Sequence, residues 1–155
     1  MKNKYRYNYQ QQDSHQTLQQ GLEEYYASIP GLTAIEDVKD QEIAKMLTLH
    51  DVTHVVFGCN TTIEGEFLCD TWAMVASNVS LSKYLEYLKN QETQQIFQEI
   101  GYLQVMRMGI QSLPKIIRVY LHSRKMTKKW GWDDYQKHLD RSLQEIRQEF
   151  NICLV

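Results

Sequence analysis

The amino-acid sequence predicts an all-α fold, a compact domain of about five or six helices with a metal site between two neighbouring helices. Apolar residues recur at intervals of three and four along most of the chain, which is typical of helices that bury one face. The 155 residues include only 7 Gly and 2 Pro, few for the many turns of an all-β domain. No segment shows the strict alternation of apolar and polar residues that marks a half-buried strand.

Length, charge and cysteine content narrow the class of protein. A chain of 155 residues fits one domain with its own core. A formal net charge of −2 argues against a cationic nucleic-acid binder, and no apolar run reaches the roughly 20 residues of a membrane span. The three cysteines are odd in number and lack C-x-x-C spacing, which argues against a disulfide or cysteine–zinc framework. We therefore expect a reducing, cytoplasmic environment.

The N-terminal part is predicted to be a mobile segment. Over residues 1–20, tyrosines alternate with polar residues and are followed by glutamines, without a sustained helical or strand period. We assign residues 1–32 to this Tyr/Gln-rich segment and residues 33–155 to a single helical domain.

The first half of the domain contains clear start and stop signals. Thr33 and Glu36 have the spacing of a capping box, and Gly58 provides a stop, so the first strong helix is predicted between them. A short polar link leads to a second helix that carries Ile63, and a short helix follows near residues 81–88.

The second half predicts three further helices. One covers about residues 92–113, and the next begins at Pro114, whose missing N–H is tolerated in a first turn. Asp133 or Asp134 is expected to cap the last helix. Its apolar stripe is formed by Tyr135, Leu139, Leu143, Ile146 and Phe150.

The residues that point most clearly to chemistry are His50, Asp51 and His54. On a helix His54 lies roughly 40° and Asp51 roughly 100° from His50, so all three side chains can face one cavity. Apolar residues share this arc, so the imidazoles should face inward, where they need a partner. A divalent cation meets this need, and Glu66 on the next helix is a candidate fourth ligand. Asp70, one turn further along, is a candidate supporting group or proton acceptor.

Other interpretations of these residues stay open at this point. Two histidines one turn apart also occur as a satisfied core pair. A zincin metallopeptidase carries Glu where this chain has Asp51, and the shorter Asp reaches a metal-bound water poorly. An HD-type phosphohydrolase needs another histidine upstream, where only His15 is available. Nucleophilic catalysis by Cys59 or Cys69 is conceivable, although a small buried cysteine is the commoner situation.

A basic stretch follows in the second half of the chain, because residues 100–132 include no acidic residue. On a helix beginning at Pro114, five side chains fall within about 80° of one another: Lys115, Arg118, His122, Lys125 and Lys129. One interpretation is a solvated face above a core-packed apolar stripe. The other is a surface for anionic lipid head groups, formed by Lys115, Arg118, Lys125 and Lys129 with Trp130 and Trp132 as interfacial anchors. Nucleic acid is disfavoured, because the patch is short and the remaining surface is acidic.

The candidate metal residues resemble the signature of a known family. His50-Asp51-x-x-His54, followed by eleven residues and then Glu66, is similar to the signature of the Coq-four family, the fourth-numbered proteins of ubiquinone (coenzyme Q) biosynthesis. The string over residues 58–66, GCNTTIEGE, resembles that family's G-x-P-T-x-x-x-G-E linker.

Two further segments support the resemblance, which covers residues 35–152. Residues 107–113 resemble the family's central-helix segment, and residues 132–152 resemble its C-terminal helix. The chain also departs from the pattern: Asn60 replaces the linker proline, Asp70 stands where a basic residue is common, and the helices before the metal helix are shortened.

The resemblance implies an all-helical fold in which His50, Asp51, His54 and Glu66 hold a divalent metal ion, zinc or magnesium. It implies a prenyl lipid or quinone precursor in a hydrophobic tunnel, a homodimer, and a peripheral position on the inner face of the membrane. Family members have been viewed as catalysts (lyases) of the oxidative decarboxylation of a prenylated hydroxybenzoate. They have also been viewed as non-catalytic lipid-binding scaffolds that organise other biosynthetic proteins.

Overall fold

The computed structural model describes residues 7–29, 41–82, 84 and 101–155. In these ranges the chain is all-helical, which confirms the predicted fold class. The α-helices are α1 (Leu18–Ala27), α2 (Gln41–Phe57), α3 (Ile63–Ala76), α4 (Tyr102–Ser123) and α5 (Leu143–Phe150). They are joined by two 3-10 helices, Asn8–Gln10 and Trp132–His138. The predicted helix start at Thr33 and most of the predicted helix at residues 81–88 lie outside the described ranges.

The core is built around the second half of α2. Every residue from 49 to 57 is buried, because α1, α3 and α5 all pack against this helix. The ring of Phe57 stacks on that of Trp72 from α3, with centroids 4.5 Å apart. A helix that is surrounded in this way has no solvent-facing side. Any polar side chain on it must therefore find its partners inside the protein.

The N-terminal segment belongs to this core, which corrects the predicted domain boundary after residue 32. Tyr9, Leu18 and Tyr25 are all buried. Thr17 begins α1 with a capping box, in which its hydroxyl accepts from the N–H of Gln20 and the Gln20 side chain accepts from the N–H of Thr17. Residues 7–29 are thus part of the same unit as the rest of the described chain.

Arg147 of α5 fastens this segment to the end of α2. Its buried guanidinium donates hydrogen bonds to the carbonyl oxygens of Val55 and Val56, both at 2.9 Å, and to those of Tyr9 and Gln11. Val55 and Val56 lie in the last turn of α2, where carbonyl oxygens have no partner within the helix. Arg147 satisfies them and links three separate parts of the chain.

The last α-helix begins later than predicted. Ser142 caps α5, since its hydroxyl accepts from the N–H of Glu145 and the Glu145 carboxylate accepts from the N–H of Ser142. Asp133 and Asp134 instead lie in the first turn of the 3-10 helix Trp132–His138. The predicted apolar stripe is therefore divided between two elements.

The helix α4 is continuous, which corrects the two helices predicted on either side of Pro114. The proline lies inside α4, and Val105 and Val119, before and after it, are both buried. A proline costs a helix one backbone hydrogen bond, and we attribute the continuity to packing, because α4 makes its main contact with α3. Ile117 and Tyr120, two apolar residues of α4 away from the predicted basic face, are 57% and 49% exposed.

The predicted basic face and its aromatic anchors also need correction. Lys125 and Lys129 follow the end of α4 and do not share its helical face. Trp130 and Trp132 are buried, and the indole N–H of Trp132 donates to the hydroxyl of Thr53 at 3.0 Å. These tryptophans are core residues and are not available as interfacial anchors. None of the helices in the described ranges is both long and apolar enough to cross a bilayer.

Candidate metal centre

The link between α2 and α3 brings the two helices close together. Gly58 has a φ of +67°, in the left-handed region that favours glycine. The side-chain oxygen of Asn60 accepts hydrogen bonds from the N–H and hydroxyl of Thr62, which in turn caps α3. A Cβ added to Gly65 would lie 2.0 Å from the Asn60 carbonyl oxygen. Both glycines are thus required for this tight link. After the link the chain continues as α3, which packs beside the histidine-bearing helix α2.

Three of the predicted residues converge on one point between α2 and α3. Nε2 of His54 lies 3.2 Å from Oε2 of Glu66, and Nε2 of His50 lies 3.7 Å from the same oxygen. The two imidazole rings are 4.7 Å apart and nearly perpendicular. Nε2 of His50 also lies 3.5 Å from Oδ1 of Asp70, so this nitrogen faces both acids.

These separations can be compared with those between the ligand atoms of a metal site. In a tetrahedral zinc site with bonds of about 2.0–2.1 Å to nitrogen and oxygen, neighbouring ligand atoms lie roughly 3.3–3.4 Å apart. The distances from Glu66 to His54 and His50 fall on either side of this value. Hydrogen bonding alone would account for the shorter contact but is weak at 3.7 Å. The donor types, imidazole and carboxylate, also suit a divalent cation.

The other nitrogen of His54 is held in a way that leaves Nε2 available. Nδ1 lies 3.4 Å from the carbonyl oxygen of Cys59, which can only accept, so we assign the proton of the neutral ring to Nδ1. The ring is fully buried and stacks on Tyr25 at 5.2 Å. A backbone carbonyl behind a histidine in this manner is the usual support of a metal-binding imidazole.

His54 and Glu66 shift each other's pKa values. Burial works to lower the pKa of His54, but the Glu66 carboxylate and, to a smaller degree, Asp51 raise it above its ordinary value. Burial likewise works to raise the pKa of Glu66, but His54 and then His50 lower it. Without a metal, the favoured state of this pair is therefore a protonated imidazole beside an ionised carboxylate.

Asp51 faces α1. The side chains of Tyr25 and Tyr26 lie near its carboxylate, which is almost completely buried. Burial raises the pKa of Asp51, although the nearby imidazoles of His50 and His54 and the two tyrosines oppose this. The structure thus places Asp51 near both histidines and near two tyrosines of α1, and no local spacing indicates these tyrosine neighbours.

Asp70 is held by a residue that the sequence analysis missed. The hydroxyl of Tyr84, which is buried, donates to Oδ1 of Asp70 at 2.6 Å, and the same oxygen faces His50. Asp70 thus lies between Tyr84 and His50. Tyr84 lies 14 residues after Asp70, so no short-range spacing could have revealed it.

Cys69 is the second residue that the sequence analysis did not place in the site. His50, His54 and Cys69 form a group that could hold a metal ion, because their ligand atoms all lie within 4.8 Å of one another. Burial raises the pKa of the Cys69 thiol, and the thiol faces the carbonyl oxygen of His50 at 3.9 Å. Glu66 and Cys69 are three residues apart on α3, so helical spacing could have indicated that they share a face.

The acidic side of the centre is the one that reaches solvent. The side chains of Glu66 and Asp70 are 35% and 24% exposed, whereas His54 is fully buried. A cavity of about 290 Å³ adjoins the link between α2 and α3 and is lined in part by Cys59, Leu68 and Trp72. This volume lies just below the range of about 300–1,000 Å³ for small-molecule sites, and the lining does not include His50, His54, Glu66 or Asp70.

Comparison with known proteins does not identify a family: no family model, curated protein or solved structure matches the chain.

Proposed function

We propose that this protein is a metal-dependent, ubiquinone-biosynthesis-like protein, similar to the Coq-four family, that binds a prenylated aromatic lipid and supports oxidative decarboxylation of its ring. The observation that carries the proposal is the convergence of His50, His54 and Glu66 from two helices on a single point, at separations that suit one cation. The positions that the resemblance assigned to a metal from the sequence are therefore neighbours in space.

The proposed ligands are His50, His54, Glu66 and Asp51, with zinc as the first candidate metal and magnesium as the second. Zinc is favoured because two imidazole nitrogens take part. In this proposal Asp51, which lies near Tyr25 and Tyr26 of α1, completes the set through one carboxylate oxygen.

The proposed chemistry uses the open, acidic side of the centre. A bound divalent cation supplies Lewis acidity, which orients and polarises an aromatic carboxylate. The ring exchanges its carboxylate for a hydroxyl, releases CO₂ and gives up two electrons, so water and an external oxidant such as dioxygen are required co-substrates. Asp70, held by Tyr84 beside His50, is positioned to accept a proton at Oδ1.

We propose that a basic surface at the C-terminal part of α4 and just after it binds anionic lipid head groups. Arg118, Lys125 and Lys129 are exposed, whereas Lys115 is already paired with Glu64 of α3. We therefore expect Lys115 to contribute less than the other three to attraction towards a negatively charged membrane.

A matched pair of glutamate variants tests the metal site. Glu66→Gln keeps the size of the side chain but removes its charge, and we expect metal content after dialysis to fall at least tenfold. Glu64→Gln, two residues away on the same helix and paired with Lys115, should keep the wild-type content. Elemental analysis of both purified proteins gives the measurement, and equal metal content in the two variants would contradict the proposed ligand set.

Complementation separates the catalytic proposal from a second candidate, a non-catalytic lipid-binding scaffold. The second candidate is favoured by the exposed apolar side of α4, which suits a protein that holds other molecules. If the protein is a catalyst, a ubiquinone-deficient strain that carries the Glu66→Gln variant should accumulate the carboxylated precursor, while the variant protein still binds prenyl lipid. A scaffold should lose ubiquinone without accumulation of that one precursor, and full rescue by the variant would count against both functions.

A further inference from the structure

The cavity of about 290 Å³ beside the link between α2 and α3 is separate from the candidate metal centre. We call it the link cavity. Its wall combines residues of the N-terminal segment, the link, α3 and α4. Part of the wall is apolar and is formed by Phe57, Leu68, Trp72 and Val155. The proposed metal-dependent function makes no use of this cavity.

Trp72 brings an unsatisfied hydrogen-bond donor to the link cavity. The residue is fully buried, and its ring stacks on that of Phe57. Its indole N–H has no acceptor among the described residues. A buried donor without a partner is destabilising, so proteins usually pair such a group with another protein group, a water molecule or a ligand. Because an indole N–H can only donate, its partner must supply an acceptor.

Two amide side chains of the same wall also have donors to spare. Oε1 of Gln10 accepts from the backbone N–H of Tyr7, and Oδ1 of Asn60 accepts from that of Thr62. Since a backbone N–H cannot accept, these bonds establish which end of each amide is oxygen. The NH₂ groups of Gln10 and Asn60 have no acceptor in the part of the chain that the structure describes, and Gln10 is only 6% exposed.

Charge at the link cavity also suits an anion. Among the described residues of the wall, Glu64 is the only acidic side chain, and it is paired with Lys115 of α4. Thr62, which caps α3, is part of the wall. The positive end of the α3 dipole therefore lies at the cavity. The wall thus combines N–H donors with an acidic side chain that is already neutralised.

We propose that the link cavity is a binding site for a small organic carboxylate. Its oxygens accept hydrogen bonds from N–H groups of the wall, and its short apolar part lies against Phe57 and Leu68. A carboxylate is favoured over a neutral carbonyl compound, because it accepts on two oxygens and because charged acceptors form the stronger hydrogen bonds. The volume excludes a long apolar chain. The proposal goes beyond the metal-dependent function and does not depend on it.

Indole N–H resonances provide the first test, with sodium isovalerate as the probe. The chain has three tryptophans, so a proton–nitrogen spectrum should contain three indole cross-peaks, and Trp72→Phe identifies the peak of Trp72 by its loss. We expect this peak to move downfield on titration, with a dissociation constant of about 1 mM for so small a molecule.

The other two tryptophans are internal controls. The indole N–H of Trp132 already donates to Thr53. Trp130 is as buried as Trp72 and its indole N–H likewise has no acceptor among the described residues, but it does not line the link cavity. Both of these peaks should stay in place during the titration.

A matched pair of glutamine variants tests the amide donors. Gln10→Glu keeps the oxygen that accepts from Tyr7 but replaces the NH₂ group by a negatively charged oxygen, so the dissociation constant for isovalerate should rise at least ~10-fold. Gln11→Glu adds the same charge at the next residue, which is not part of the wall, and should bind like the wild type. Glu66→Gln, which alters the candidate metal centre, should also bind like the wild type.

The sign of the charge on the probe gives a test that needs no variant. Isoamylamine has the same carbon skeleton as isovalerate but carries a cationic donor in place of the carboxylate. It should leave the Trp72 resonance unchanged in the wild-type protein at concentrations at which isovalerate saturates the site.

Four results would overturn the proposal. The first is a Trp72 peak that does not move at about 50 mM isovalerate, far above the expected dissociation constant. The second is an equal response to isoamylamine, and the third is an equal shift of all three indole peaks. The fourth is binding that Glu66→Gln abolishes, because the probe would then occupy the metal centre.

Discussion

Nε2 of His54 and Oε2 of Glu66 lie 3.2 Å apart in a site where the imidazole is fully buried, and each group shifts the pKa of the other towards the charged form. A metal ion needs the same imidazole in its neutral form. Proton and metal therefore compete for His54, and the ion pair with Glu66 is the metal-free alternative to the metal complex.

The pH dependence of stability should reflect this competition. Because the pKa of His54 is raised in the folded state, the protonated ring contributes stability below the unfolded pKa of about 6.5, and this is lost as pH rises through the folded pKa. We expect the melting temperature in chelator to fall as the pH rises above about 6.5. Glu66→Gln, which removes the partner charge, should flatten the slope. A wild-type melting temperature that rises over this range in chelator would contradict the assignment.

The tyrosines near Asp51 should be important for folding. Replacing Tyr25 by Phe removes a hydroxyl that lies near the buried Asp51 carboxylate and favours its charged form, and we expect a loss of about 1–3 kcal/mol in the free energy of unfolding at neutral pH. Tyr26→Phe should act in the same direction. Urea denaturation gives the measurement, with Tyr120→Phe on the exposed side of α4 as the control. Equal stability of the Tyr25 and Tyr120 variants would refute this account of Asp51.

Arg147 should be one of the most sensitive positions in the chain. Arg147→Met keeps most of the apolar stem but removes the side-chain donors to the carbonyl oxygens of Val55, Val56, Tyr9 and Gln11, so we expect a loss of at least ~3 kcal/mol. A domain is stable by only about 5–15 kcal/mol, so the variant should be close to unfolding. Arg141→Met, which removes a partly exposed pairing with Glu149, should have a much smaller effect on the urea midpoint. Similar effects of the two variants would show that the bonds of Arg147 are not stabilising.

Cobalt substitution should show which atoms bind the metal. Burial raises the pKa of the Cys69 thiol, and the proposed ligands are nitrogen and oxygen atoms, so we expect no intense thiolate-to-cobalt band in the near ultraviolet. Cys69→Ser should bind cobalt with the same visible spectrum as the wild type. A strong near-ultraviolet band that disappears in Cys69→Ser would instead make Cys69 a ligand alongside His50 and His54, which the structure also brings together.

The neighbouring positions of His50, His54 and Glu66 could be predicted because they depend on local rules. One helical turn separates the histidines, and a tight glycine link returns the chain beside them. Helical periodicity similarly predicted the fold class. The packing of the N-terminal segment was missed although a local signal exists, since Thr17 and Gln20 have the spacing of a capping box and Leu18, Leu22 and Tyr25 follow at helical intervals.

Other features could not be predicted because they depend on contacts between distant parts of the chain. Tyr84 reaches Asp70 from outside α3, and Tyr25 reaches Asp51 from another helix. Periodicity alone also does not reveal which of two apolar stripes on α4 faces the core. Pro114 was interpreted as a helix start because the support that α3 gives to both halves of α4 is not visible in the local sequence.

The bonds of Arg147 also determine the order in which the molecule can be assembled during synthesis. Arg147 follows Val56 by 91 positions, a stretch that a ribosome translates in roughly 5–20 seconds. Until Arg147 has been synthesised, the carbonyl oxygens of Val55 and Val56 at the end of α2 lack its hydrogen bonds. His50 and His54, on the same helix, are by then already part of the chain. The nascent chain thus exposes two candidate metal ligands before it can enclose them, and a stable, correctly closed site has to wait for α5.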